Sequence, residues 1–268
     1  MPQKSIEVLI SCMCQDDATI AKKINISSDA VIVNQCGRNE YTESFVNEHK
    51  VRMYSCMDRG LSKSRNTALS NSTSDICLLC DDDEYLENDY VAKIHEGYSM
   101  YPDAAVIAFE LHRPRGSCWK TSRKLGRFSA LRISSCQITF KRELIKNSAI
   151  KFNEAFGAGT QFSSGEEMVF LHDCLFKGLN VYYVPLIIGS VTRTQSTWFK
   201  GFTESYFVNR GVVTRFSMGL FFATLYSMYF SVTKYPIYRE SMTFLKAFRL
   251  MLRGIYSTKI ERPLQLLN

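Results

Sequence analysis

The chain has 268 residues, 46% of them apolar and 22% charged, which suits one substantial α/β domain with a smaller appendage and excludes two large domains or a disordered chain. Its net charge of +7 is unevenly placed: from Arg193 to Asn268 eleven Lys and Arg face three Asp and Glu, a net of +8, so the rest is close to neutral at −1. A basic tail on a neutral body points to a polyanionic surface, either nucleic acid or an anionic membrane leaflet.

In chain order, Ile6 to Cys12 reads as a buried strand and Thr19 to Ile26 as a short helix. Strands follow at 29–33, ended by Asn34-Gln35-Cys36-Gly37, and at 51–55. Leu61 to Leu69 reads as a helix entered through Ser62, and 76–80 as a strand ended by Asp81-Asp82-Asp83-Glu84. Helix 89–100 and strand 104–110 continue the alternation, which predicts a mainly parallel sheet with helices on both faces. The basic stretch 113–132, with Gly and Pro, suggests a long loop or lid. Strand 135–140, a Gly- and Ser-rich segment 153–164, helix 165–177 and strand 179–185 complete this part. The domain organisation predicted is a catalytic domain over 1–200 and a basic, aromatic helical region over 201–268.

Nine cysteines, several in apolar runs such as Cys77 and Cys80, read as free thiols in a core. They suggest a reducing compartment, and Met1 to Glu7 has no signal-peptide pattern, so the expected location is the cytoplasm.

Four acidic residues directly after a buried strand repel one another unless a cation compensates. Their hard oxygens suit Mg²⁺ or Mn²⁺ bridging to substrate phosphates, at the strand ends where open α/β sheets bind ligands. The alternative is a solvated turn before the next helix. Arg59, Lys63 and Arg65 put three cations within seven residues, either on a solvated helix face or facing a diphosphate or a base. Gly157 and Gly159 permit close approach of a loop. Ser164 and Glu167 form a capping-box pattern, while Glu167, Phe170, Leu171 and Cys174 share a helix face that would turn Glu167 inward. A partly desolvated carboxylate there makes a good general base.

The order strand, Gly60-Leu61-Ser62-Lys63-Ser64-Arg65-Asn66, Asp81-Asp82-Asp83 and Gly165-Glu166-Glu167 resembles the family 2 inverting glycosyltransferases of GT-A fold, especially bacterial enzymes that build surface polysaccharides. The resemblance runs from about Ile6 to Thr197. It implies a GT-A-like, Rossmann-type sheet, a nucleotide-sugar donor, here expected to be UDP-linked, and metal held by Asp83 and Asp81. It also implies donor contacts from Asn34, Gln35, Lys63, Arg65, Asp81 and Asp82, and catalysis by Glu167 as base beside Glu166. Asn34 and Gln35 stand where the family usually carries two aspartates. A histidine often found after the 179–185 strand is absent from Gly189 to Thr194. His172 is expected in a surface or packing role. Gly159 and Trp198 are candidates for acceptor contact, Trp198 by stacking on a sugar face.

Phe216 to Thr233 carries no charge, and Phe244 to Tyr256 has amphipathic spacing with a cationic face. With a lipid-linked saccharide acceptor, this region is expected to dock peripherally on the anionic inner face of the cell membrane. The chain is not expected to bind nucleic acid, and its oligomeric state is open. The competing readings are a non-catalytic nucleotide-sugar-binding partner protein and a sugar nucleotidyltransferase; the latter would carry a Gly-rich loop after its first strand, where this chain reads Ser11-Cys12-Met13-Cys14-Gln15-Asp16.

Overall fold

The computed structural model describes residues 4–112, 118–191, 199 and 201–257. The elements in chain order are β1 (Ile6–Met13), α1 (Ile20–Ile24), β2 (Asp29–Gln35), β3 (Glu40–Val46), β4 (His49–Cys56), α2 (Leu61–Asn71), β5 (Ile76–Asp81), β6 (Glu84–Leu86) and α3 (Tyr90–Met100). They continue with β7 (Val106–His112), β8 (Arg123–Lys124), α4 (Arg127–Ala130), β9 (Ile138–Lys141), α5 (Arg142–Asn147), α6 (Glu166–Phe176), β10 (Val181–Val191), α7 (Glu204–Thr233), α8 (Tyr235–Tyr238) and α9 (Phe244–Ser257).

Strand side chains alternate between the faces of a sheet, so an uninterrupted apolar strand must be covered on both sides. The run Val8-Leu9-Ile10 of β1 shows the consequence. Val8 and Ile10 enter one apolar layer with Ile20 and Ile24 of α1 and Ile94 of α3. Leu9, between them, enters the opposite layer with Leu69 of α2, Ile145 of α5 and Phe170 of α6.

Among the described residues the sheet has ten strands, in the order β3-β4-β2-β1-β5-β9-β7-β10-β6, with β8 on β10. β4, β2, β1 and β5 are parallel, as are β7 and β10. β9 lies between β5 and β7, antiparallel to both, so the sheet is mixed. The strand expected at 135–140 is a 3-10 turn over Ser135–Gln137 followed by β9. That turn brings Ser135 and Cys136 to the carboxyl end of β5.

The 113–132 stretch contains β8 and α4 within its described residues. The long helix α7 breaks at Gly219 (φ 78°, ψ 174°), giving two arms. The first packs against α9 with glycine on each helix: a Cβ at Gly211 would collide with the Met251 carbonyl, and one at Gly254 with that of Val208. α7 to α9 share their own apolar cluster around Phe207, Tyr238 and Met251. A smaller cluster, with Phe156, Val169, Val213 and Phe216, joins α7 to the start of α6.

Candidate active site

The acidic run at the end of β5 does not act as one patch. Asp81, Asp82 and Asp83 are half-buried around the turn, while Glu84 begins β6 and is buried at 3% exposure. Glu84 turns back: its Oε1 accepts the Asp81 backbone N–H at 2.7 Å. Its Oε2 is buried with no hydrogen-bond partner among the described residues. Burial, reinforced by the Asp81 charge, pushes the Glu84 pKa up to about 8. Cys136 approaches Asp81 Oδ2 at 3.8 Å and Ser135 donates to it at 3.4 Å. Asp81, Glu84 and Cys136 offer ligand atoms all within 4.8 Å of one another.

Arg65 supplies the compensating charge. It lies on α2, is 1% exposed, and donates from Nη2 to Asp81 Oδ1 at 2.9 Å and from Nη1 to Glu166 Oε1 at 2.8 Å. Burial opposes its charge, but the Asp81 and Glu166 carboxylates outweigh that and hold its pKa above the usual guanidinium value. The other two cations of the segment point elsewhere. Lys63 pairs with Asp58 at 3.0 Å near the surface, and Arg59 donates to the Gln35 carbonyl at 2.9 Å.

α2 is not entered through Ser62, whose hydroxyl donates to the Phe156 carbonyl at 2.6 Å. The cap is Gly60 at φ 122°. The Gln35 side chain accepts the Gly60 N–H at 2.7 Å and so fixes where α2 starts. Asn34 is fully buried, and its amide is used within the fold: it exchanges hydrogen bonds with the Gln15 backbone at 2.8 and 3.0 Å and reaches Ser55 Oγ at 3.2 Å. It thereby ties the loop after β1 to the sheet.

The Gly-rich segment closes over the start of α2. Leu61 N–H donates to the Ala158 carbonyl at 3.0 Å. Gly157 (φ 108°) is tightly placed: a Cβ there would stand 3.3 Å from both Glu166 Oε2 and Ser62 Oγ. Gly159 (φ 76°) lies against Gly60.

The capping box expected from Ser164 and Glu167 does not form. Gly165, left-handed at φ 96°, is the N-cap of α6 and makes no side-chain cap bond. Its lack of a side chain admits Val213 of α7, which would stand 2.6 Å from a Cβ. Glu166, the first residue of α6, turns to Arg65 and is 5% exposed. Glu167 is half-buried. Burial first, and the neighbouring Glu166 charge second, push its pKa to about 8; Arg65 and Arg210 pull the other way. Arg210 of α7 donates to the Tyr226 hydroxyl at 2.7 Å and lies over the Phe230 ring at 5.2 Å. His172 packs: its ring nitrogens meet the carbonyls of Met168 and Arg127 at 2.7 and 3.0 Å.

The structure thus brings Arg65, Asp81 and Glu166 together with Glu167 next along α6, braces the neighbouring loops through Asn34 and Gln35, and turns Lys63 away to Asp58. Trp198 lies outside the described residues. Sequence reasoning missed the inward turn of Glu84, Cys136 and Arg210; the last two carry no motif. The donor set fits a hard divalent cation: carboxylate oxygens predominate, and the buried, unpartnered Glu84 Oε2 is an atom such a cation would satisfy.

A family model described as glycosyl transferase family 2 matches residues 24–166. No curated protein matches the chain. Among solved structures, Staphylococcus aureus TarS 1–349 in complex with UDP-GlcNAc is similar at 13% identity and TM-score 0.62, covering 94% of this chain and 81% of that one. Mannosyltransferase PcManGT from Pyrobaculum calidifontis, in complex with GDP-Man and Mn²⁺, is similar at 12% identity and TM-score 0.52, covering 95% of this chain and 70% of that one. These likenesses establish a shared GT-A fold.

Proposed function

The chain belongs to glycosyl transferase family 2, and on that premise we propose that it is an inverting glycosyltransferase. It moves a sugar from a nucleoside-diphosphate sugar, UDP-linked, to a hydroxyl of a lipid-linked saccharide in surface-polysaccharide synthesis. The observation that carries this reading is the bridge made by Arg65. One buried guanidinium holds Asp81, at the strand end where a donor diphosphate would lie, and Glu166, the neighbour of Glu167.

In the proposed reaction Glu167 takes the proton of the acceptor hydroxyl as its oxygen bonds to the anomeric carbon. The bond from that carbon to the diphosphate oxygen breaks, and its electron pair leaves with the nucleoside diphosphate. Attack from the opposite face inverts the configuration. A base with a pKa of about 8 is basic enough to take that proton, and its ionised form grows as pH rises toward about 8. Arg65 orients both carboxylates, since a guanidinium fork holds two partners in fixed directions. Asp81 and Asp83, with Glu84, would hold Mg²⁺ or Mn²⁺, which when bound supplies positive charge against the departing diphosphate. Lys63, Asp82, Asn34 and Gln35 complete the donor side of the proposal, the last two by shaping the loops that face it.

The proposal places the chain on the cytoplasmic face of a membrane, with 201–268 as the docking region. α7 is long and apolar enough to cross a bilayer by length and composition. Two features support lying on the surface instead. Gly219 divides it into arms of roughly 15 residues, short of the ~20 a span needs, and the first arm carries Arg210 and Arg215. Its second arm exposes Leu220, Phe221, Leu225, Met228, Tyr229 and Val232. At 100° per residue these fall within one half of the helix circumference. α9 buries Ala247, Leu250 and Met251 and leaves Lys246, Arg249 and Arg253 exposed, a cationic face suited to anionic headgroups.

The test is nucleoside-diphosphate release from a panel of nucleotide-sugars with Mn²⁺ or Mg²⁺ and a lipid-linked acceptor extract, for wild type, Asp83→Ala and Glu167→Gln. Metal-dependent release with one donor, lost in both variants, supports the reading. Release that is unaffected by Glu167→Gln would remove Glu167 as the base.

A further inference from the structure

The first turns of α7 lie along the start of α6. Asn209 Nδ2 reaches Ser163 and Ser164 at 3.4 and 3.5 Å, and Val213 occupies the space that a side chain at Gly165 would need. Met168 and Val169 share an apolar cluster with Val212, Val213 and Phe216. Arg210 stands between these contacts, next to Asn209 and one turn before Val213. Residues three apart share a helix face, which puts Arg210 beside the segment of α6 that carries Glu167.

Arg210 is also held from the other side. After the break at Gly219, the second arm of α7 returns two side chains to it. The Tyr226 hydroxyl accepts from Nη2 at 2.7 Å, and the guanidinium lies 5.2 Å from the Phe230 ring centroid and 5.7 Å from that of Tyr226. Aromatic faces attract a cation, and both rings are buried.

The Arg210 Nε is covered from solvent and has no hydrogen-bond partner among the described residues. A cation withdrawn from water is costly unless a negative group compensates. Burial opposes the Arg210 charge, while Tyr226, Tyr206 and the Glu167 carboxylate sustain it. Three charged side chains act on Glu167 in turn. Glu166 on its own helix disfavours the ionised form, and Arg65 of α2 and Arg210 of α7 favour it. Arg65 is committed to Asp81 and Glu166 through its two Nη atoms, whereas the Arg210 hydrogen bond goes to a neutral hydroxyl. On α4, which also packs on α6, the charged residue is Arg127, whose carbonyl meets His172 further along the helix.

We infer that Arg210 is a positioning residue for the proposed base: Tyr226 and Phe230 hold its cation toward the Glu167 carboxylate, so that the second arm of α7 acts on the active site through one side chain. The inference rests on the transferase reading in calling Glu167 the base; the link from Arg210 to the carboxylate stands apart from it. Without Arg210, Glu167 keeps its burial and the repulsion of Glu166, with Arg65 alone against them, and it releases its proton at higher pH.

The test follows the Glu167 carboxyl directly. Carboxyl-carbon NMR titration of the full chain, labelled in glutamate, identifies its signal by its loss in Glu167→Gln, and kcat is recorded across the same pH range. Arg210→Gln is expected to raise the carboxyl midpoint by at least about half a pH unit and to displace the rise of kcat equally, so that kcat falls about threefold near neutrality and converges on wild type at high pH. Arg210→Lys keeps the charge and should restore most of the shift. Tyr226→Phe removes the hydrogen bond while keeping the ring and the cation; it should give an intermediate shift, and it decides the matter if Arg210→Gln does not fold. An unmoved midpoint in folded Arg210→Gln, or failing that in Tyr226→Phe, would make Arg210 a pin between the two arms and overturn the inference. A midpoint that moves while the kcat profile stays put leaves the link standing and removes Glu167 as the base. A moved midpoint with no turnover of any donor in wild type removes the transferase reading, and an unmoved midpoint with turnover intact removes the inference alone.

Discussion

Arg65 and Glu166 are 101 residues apart in the chain and 2.8 Å apart in space, and the same guanidinium reaches Asp81 at 2.9 Å. The bridge is buried, with Arg65 1% and Glu166 5% exposed. Removing one member of a buried pair leaves the other as an uncompensated charge, at a cost on the order of 3–5 kcal/mol. Arg65→Met is therefore expected to lower urea-unfolding stability by about that amount and to abolish transfer. Arg65→Lys keeps the charge but replaces the planar fork by a single ammonium, so it should retain more stability than Arg65→Met and still lose most activity.

Glu167 gives a pH signature with a definite sign. Its folded pKa of about 8 lies above the ordinary 4.5, so the folded state binds this proton more tightly than the unfolded chain does. The group's stabilising contribution is complete below pH 4.5 and is lost as pH rises toward about 8. As a base it works only when ionised, so kcat should climb with pH and level off above about 8. Glu167→Gln should abolish transfer and raise the thermal midpoint relative to wild type, by more at pH 8.5 than at pH 5. Thermal scans at both values check this, and equal differences would mean the carboxyl is not perturbed.

The sheet core was legible because its signals are local. Six residues of β5 and the aspartates after them form one contiguous pattern, and β1 and β2 hold the apolar runs Val8 to Ile10 and Ala30 to Val33. What the sequence hid depends on distance or on a single backbone angle. β3 carries mainly exposed side chains and so has no apolar period; its pairing with β4 depends on a tight turn in which Asn47 and Glu48 adopt φ of 48° and 68°. Glu84 reads as a fourth member of an acidic cluster, because nothing local tells that the chain reverses and buries it. Ser164 and Glu167 satisfy the capping-box spacing, but Gly165 in a left-handed conformation takes the cap, and the reason for a glycine there is Val213, 48 positions on. The charge-free run 216–233 was visible, whereas its break at Gly219 is a property of one residue's φ.

Gly157 is a steric control on the bridge. An added Cβ would meet Glu166 Oε2 and Ser62 Oγ at 3.3 Å, and its φ of 108° is one that L side chains rarely adopt. Gly157→Ala is expected to cost on the order of 1–3 kcal/mol in stability. It should also displace Glu166 from Arg65 and lower kcat more than it raises the donor KM. Chemical denaturation and steady-state kinetics on the same preparation test the two effects together.

The acidic turn should respond to cations without any substrate. A cation that binds only the folded state stabilises it by RT ln(1 + [L]/Kd), about 2.7 kcal/mol at a hundredfold excess over Kd. Millimolar Mn²⁺ is expected to raise the thermal midpoint of wild type, and chelation to reverse it. Asp83→Ala should blunt the shift, as should Glu84→Gln, which retains the bulk of the buried side chain while removing its charge. A shift identical in all three proteins would place the cation elsewhere.

The exposed arm of α7 predicts how the chain meets lipid. Phe221 and Tyr229 are 69% and 59% exposed and, with Leu225, lie on the outward half of the helix. Fully burying a large apolar side chain is worth roughly 1.5–3 kcal/mol, and each Lys or Arg near an anionic leaflet about 1 kcal/mol. In flotation with vesicles containing phosphatidylglycerol, Phe221→Asp with Tyr229→Asp is therefore expected to weaken binding more than tenfold. Reversing Arg249 and Arg253 to Glu should weaken it comparably at low salt and little at 0.5 M salt, where their attraction is already screened. The apolar variant should remain defective at both ionic strengths, since burial of its side chains does not depend on screening. Binding to neutral vesicles as strong as to anionic ones would assign the docking to α7 alone, and retention of full binding by the Asp variant would show that this face meets something other than lipid.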